Sequence, residues 1–198
     1  MGVAHFSYIS KFLLVTTGSL ILFLFMPAQA GMEVNMDVQK IVEATKNIYN
    51  VYIGSGTFDN WECTYKSPVT EDEIKKFEKE VAVIPADYKE FLTTTNGIIF
   101  FNSGDFTFFS LQEVTETQKI MDFKNGIYPI GYVLDDYIVI KSDEISTGCY
   151  IYAGDACCRD EYFSLNCDFA TFLDRYVMAN ASNYWRWFMP GKRFDFMN

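Results

Sequence analysis

The chain has 198 residues, with 26 acids against 16 Lys and Arg for a formal net charge of −10, and its one histidine is His5. An acidic chain of this size repels nucleic acid and anionic lipid and attracts basic partners. Without an imidazole beyond residue 5 it lacks a Ser-His or Cys-His nucleophile pair and an H-E-x-x-H zinc site.

Residues 1–35 read in two ways. Lys11, the apolar run from Phe12 to Met26 and the sequence Ala28-Gln29-Ala30 have the layout of a secretory signal, and the run is short for a membrane span. Against export, the five cysteines (Cys63, Cys149, Cys157, Cys158, Cys167) are odd in number and follow neither a disulfide framework nor a C-x-x-C spacing, so no metal or other cofactor is expected either. Met32-Glu33-Val34-Asn35-Met36 also back-translates as AUG-GAG-GUG-AAU-AUG, a bacterial ribosome-binding site just before an AUG. The favoured expectation is a mis-assigned start, with a cytoplasmic protein beginning at Met36. A secreted or membrane-anchored protein, with a genuine leader, is the alternative.

Beyond residue 35, one domain is expected over 36–183, followed by an aromatic and basic extension over 184–198. Val38, Ile41, Val42, Thr45, Ile48, Tyr49 and Tyr52 recur at helical spacing, which predicts an amphipathic helix over 37–52. Thr70 and Glu73 form a capping box, and Ile74, Phe77 and Val81 share the face behind it, giving a second helix over about 71–82. Pro85 restricts Ile84 to extended backbone and starts a third helix, with Tyr88, Phe91 and Leu92 inward and Asn96-Gly97 as its stop.

From Ile98 the period changes. The runs "IIFF", "FTFFSL", "YPIGYV", "DYIVIK", "CYIYAGD" and "EYFSL" are separated by Gly, Asn and Asp, the pattern of an antiparallel sheet, with a helix near 115–123. Asp168 then caps a last helix whose stripe is Phe169, Phe172, Leu173, Tyr176 and Val177. The fold class is therefore α+β: N-terminal helices, a central, mostly antiparallel sheet of short strands, and a C-terminal helix packed on the sheet. Tyr184, Trp185, Trp187 and Phe188 are expected first to cover the core. A partner contact or, with Lys192 and Arg193, a membrane-interface anchor are the other options.

The order "TEDEIxxFEKE", "IPADYKEFL", "NG", short strands and "DFATFL" resembles the SUKH superfamily from about Thr70 to Val177. Glu73, Ile74, Phe77, Glu78, Pro85, Tyr88, Phe91, Leu92, Asn96 and Gly97 carry the resemblance. The group includes the yeast Smi/Knr cell-wall assembly regulators and many bacterial immunity proteins of polymorphic toxin systems. The resemblance implies a non-catalytic protein-binding module, preferably an immunity protein that neutralises a cognate protein toxin, such as a basic nuclease domain. A regulatory scaffold like the yeast members is the runner-up.

Residues 98–168 hold twelve acids against four bases, the surplus that such a partner would meet. The candidate partner-binding residues are Asp135, Asp136, Asp155, Asp160 and Glu161, read as exposed turn acids, together with Trp61. The same carboxylates could be imagined as a hydrolytic pair, the least favoured reading. No nucleic-acid partner is expected, and no membrane partner unless the leader is genuine.

Overall fold

Capping and aromatic packing organise the chain in the computed structural model, which describes residues 37–48, 50–52, 58–157 and 161–187. Helix α1 spans Val38–Thr45, with the Asp37 side chain accepting from the Lys40 N–H. It stops well before residue 52. The Thr45 hydroxyl bonds back to the Val42 carbonyl (2.7 Å) and meets the Tyr65 hydroxyl (2.8 Å), which holds the chain where it leaves the helix. The β-prone stretch that follows pairs instead: β1 (Asn50–Tyr52) lies antiparallel to β2 (Phe58–Asn60).

Strand β3 (Cys63–Tyr65) leads to α2 (Glu71–Glu80), where the predicted Thr70/Glu73 capping box is formed. Helix α3 (Ala86–Thr94) follows Pro85. Glu78 fixes the joint between them, accepting from the Ile84 N–H (3.4 Å) and pairing with Lys89 Nζ at 3.2 Å. After α3 the chain turns through Gly97, whose φ is +102°. A Cβ there would lie 2.6 Å from the Phe108 carbonyl oxygen, so the position requires glycine twice over.

Strands β4 (Ile98–Phe100) and β5 (Phe106–Phe108) precede α4 (Leu111–Ile120). This helix begins earlier than 115 because Ser110 and Glu113 form a second capping box, and because Asn96 Oδ1 accepts from the Leu111 N–H at 2.8 Å. Then come β6 (Ile127–Val133), β7 (Asp136–Lys141), a 3₁₀ turn (Ser142–Thr147), β8 (Ile151–Asp155), β9 (Phe163–Ser164), α5 (Phe169–Met178) and a final 3₁₀ turn (Tyr184–Arg186).

Strands β3 to β9 form one antiparallel sheet in unbroken sequence order. Residues directly opposite one another share a face, so the register puts Phe108, Gly131, Ile138 and Ala153 on one side and Thr107, Tyr132, Tyr137 and Gly154 on the other. On the first side, α3 and α5 close an aromatic core. Phe91 meets Phe108 (6.0 Å) and Phe169 (5.1 Å), Phe108 meets Phe172 (5.9 Å), and Phe100 meets Tyr176 (5.3 Å).

One carboxylate ties this layer together. Asp87, in the first turn of α3, accepts from the Tyr150 hydroxyl (2.5 Å) and from the Ala170 N–H at the start of α5 (2.9 Å). Negative charge is favourable at that helix terminus. Among the described residues, no helix is long and apolar enough to cross a membrane. Residues 1–35 and 188–198 lie outside the described residues.

Candidate protein-binding surface

An unbroken antiparallel order sorts the connections by length. The β3–β4, β5–β6 and β7–β8 connections, which carry α2 with α3, α4 and the Ser142–Thr147 turn, leave from one end of the sheet. The β4–β5, β6–β7 and β8–β9 connections, free of helix among the described residues, meet at the other. Backbone hydrogen bonds join neighbouring parts of this turn end: the Leu134 N–H donates to the Asp105 carbonyl (2.7 Å), and the Ala156 N–H to that of Asp135 (2.9 Å).

The sequence-predicted acids gather here. Asp136 and Asp155 are cross-strand partners, Asp135 lies in the β6–β7 turn, and Glu161 lies in the β8–β9 connection. The backbone of Glu161 crosses Gly154 so closely that a Cβ on Gly154 would sit 2.7 Å from the Glu161 carbonyl oxygen. Asp105 joins the group from the β4–β5 connection, an acid that the sequence reading did not select. Asp160 falls outside the described residues.

Asp105, Asp135 and Glu161 are exposed and Asp155 half-buried. Asp136 corrects the expectation of a surface acid, since it is 1% exposed. Its Oδ2 accepts from Trp185 Nε1 (2.8 Å) and Arg186 Nε (2.7 Å), and its Oδ1 from Arg186 Nη2. A carboxylate can be buried in this way because a bidentate guanidinium and an indole N–H replace its water. The hydrogen bond to Asp136 holds the Arg186 guanidinium above its usual pKa, against some loss from burial, with Asp155 and Asp135 adding to the field. Trp185 stacks on Tyr176 (6.3 Å) and tilts on Phe172 (5.9 Å), so it covers the core as expected, whereas Trp187 is exposed and does not.

Trp61 is likewise a packed residue, 5% exposed, against an expectation of partner contact. It lies at this end through the pairing of Cys63 with Phe100. Its ring meets Phe100 (5.5 Å) and Phe101 (5.1 Å) edge-on, and Phe101 in turn meets Phe106 at 5.6 Å.

Two exposed apolar groups adjoin residues of this end: Leu134, at the tip of the β6–β7 turn, and Trp187, 60% exposed and next in sequence to Arg186, the partner of Asp136. The neighbouring outer face of the sheet is tyrosine-rich. Tyr137 contacts Tyr132 (5.5 Å), Phe123 (5.8 Å) and Phe109 (6.5 Å). Burial raises the Tyr132 phenol above its ordinary pKa, and the carboxylates of Asp135 and Asp105 raise it further, so this face lies in the field of the acidic end.

Exposed acids gathered with exposed apolar groups form a surface that can take part in protein–protein contact. Among the described residues no three His, Cys, Asp or Glu side chains converge as a metal site.

Residues 68–175 match the SMI1 / KNR4 family (SUKH-1). Two Bacillus subtilis (strain 168) proteins are similar to the chain. The uncharacterized protein YobM is 32% identical over 158 residues, covering 72% of this chain and 84% of the relative. The uncharacterized protein YnaB is 30% identical over 124 residues, covering 61% and 85%.

Proposed function

Because this chain belongs to the SMI1 / KNR4 family (SUKH-1), we propose that it is an immunity protein that binds a cognate toxin domain and neutralises it by covering it. The observation that carries this reading is the gathering of Asp105, Asp135, Asp155 and Glu161 at the turn end of the sheet, beside exposed Leu134 and Trp187. Such a surface suits a basic cleft of the kind that binds nucleic acid, and the inhibition would be steric and electrostatic.

Catalysis has no place in this mechanism. Asp136, the acid that a hydrolytic reading would favour, has both oxygens engaged by Arg186 and Trp185. The protein would act in the cytoplasm of the cell that makes the toxin. The test is co-expression with the product of the adjacent gene. A stable complex that removes the toxicity of that product is expected, whereas a toxic neighbour that neither binds nor is neutralised would overturn the reading in favour of a regulatory scaffold.

A further inference from the structure

Among the described residues, seven that are not glycine have positive φ: Phe101, Asn102, Asp122, Leu134, Asn166, Asn180 and Ala181. Asn and Asp adopt this conformation with little difficulty, and Ala181 is fully buried. Phe101 is bulky, but its ring is held between Trp61 and Phe106, so packing compensates the strain. Leu134 is different. At φ +54° it occupies the first position of the two-residue turn between Val133 and Asp136, where glycine is the ordinary choice. It is 36% exposed and stands outside the packed core. A branched apolar side chain thus stands in a costly conformation at the hairpin tip, held there by the bond from its own N–H to the Asp105 carbonyl (2.7 Å) rather than by a place in the core.

We infer that Leu134 is an apolar anchor, projected from the tip of the central hairpin into a pocket on a protein partner whose rim is basic. Charge complementarity selects that partner. Asp135 follows Leu134 in the turn, Asp105 is bonded to it through the backbone, and Asp155 flanks the same hairpin, so the pocket must present cations around an apolar floor. A second exposed apolar side chain, Trp187, follows Arg186, whose guanidinium is fixed on Asp136 of the same hairpin. The strained turn pre-orients Leu134, which lowers the ordering cost of binding.

This inference rests on the protein-binding reading above, and its test separates the two. Leu134→Asn and Leu134→Gly both keep the positive φ accessible while removing the apolar group. Each full-length variant is expected to melt within about 3 °C of the parent, because relief of strain offsets the loss of a partly exposed side chain. With the purified product of the adjacent gene as the probe, each is expected to dissociate at least about tenfold faster, with little change in association rate. Asp135→Asn should do the reverse, slowing association. Dissociation rates equal to that of the parent would overturn the anchor while leaving the protein-binding reading intact. A fall in melting temperature well beyond 3 °C in both variants would make Leu134 a folding residue, and a parent chain that does not bind the probe would overturn both readings.

Discussion

The two ends of the sheet are built on different terms. At the helix end, side-chain acceptors are turned inward to hold the scaffold: Asn96 receives the start of α4, Glu78 the joint between α2 and α3, and Glu113 the side chain of Lys66 at 2.5 Å. At the turn end, Asp105, Asp135 and Glu161 are exposed, and Leu134 stands at a hairpin tip with a positive φ. One end specifies the fold, and the other presents chemistry outward. The exception is Asp136, a turn-end acid recruited into the scaffold by Trp185 and Arg186.

The largest effect expected on stability lies in the core that both ends share. Phe91 is fully buried against Phe108 and Phe169, and Phe91→Ala should cost about 3–5 kcal/mol, read as a lower midpoint in urea unfolding. A variant that unfolds at the parent's midpoint would remove Phe91 from the core. Next comes the exception. Arg186→Ala leaves the Asp136 carboxylate buried and half-satisfied, which should cost about 3 kcal/mol, and adding Asp136→Asn should recover part of that loss. If Arg186→Ala is silent in the same assay, Asp136 is an ordinary turn acid and the two ends divide without exception.

A smaller effect is expected from Glu113. Burial pushes its carboxyl up, but the Lys66 and Ser110 hydrogen bonds outweigh burial and hold it below its ordinary value of 4.5. Its folded pKa is depressed, so its contribution is present above the unfolded pKa and is lost as pH falls through the folded one. Parent and Glu113→Gln melting curves should therefore differ at pH 7 and converge below about pH 4.5. A gap that persists unchanged at pH 3 would show that the charge of Glu113 plays no part.

The helix end was the more legible in the sequence. Thr70 and Glu73, Pro85, the Tyr88, Phe91 and Leu92 face and Asn96-Gly97 each carry a local rule that the fold obeys. The Ser110/Glu113 box obeyed the same rule but was masked by the apolar run before it, so α4 was expected a few residues late. The first helix was overextended because Ile48 and Tyr52 fit a helical period by chance, while the local β preference and the pairing of β1 with β2 won.

At the turn end, the sequence singles out Asp135, Asp136, Asp155 and Glu161 but not Asp105, and it does not tell which of them is exposed. Asp135 and Asp136 are adjacent acids in one turn, yet one faces water and the other is buried. What separates them is an Arg fifty residues away in sequence. No local pattern marks such a pairing. Nor does the sequence mark Leu134, whose peculiarity is a backbone angle.

Binding of a basic protein surface by the turn end would show in the rate of association with the product of the adjacent gene as ionic strength is raised, for the parent and for the triple variant with Asp105, Asp135 and Asp155 changed to Lys. Attraction between opposite patches lifts association above the neutral 10⁵–10⁶ M⁻¹s⁻¹, in favourable cases towards about 10⁸ M⁻¹s⁻¹, and salt screens it. The parent rate should fall steeply with added salt. The triple variant, with an unchanged circular dichroism spectrum, should associate about tenfold more slowly or worse and lose that dependence. A parent rate indifferent to salt, or a triple variant that associates as fast as the parent, would contradict the account and leave the acids of the turn end a role in solubility alone.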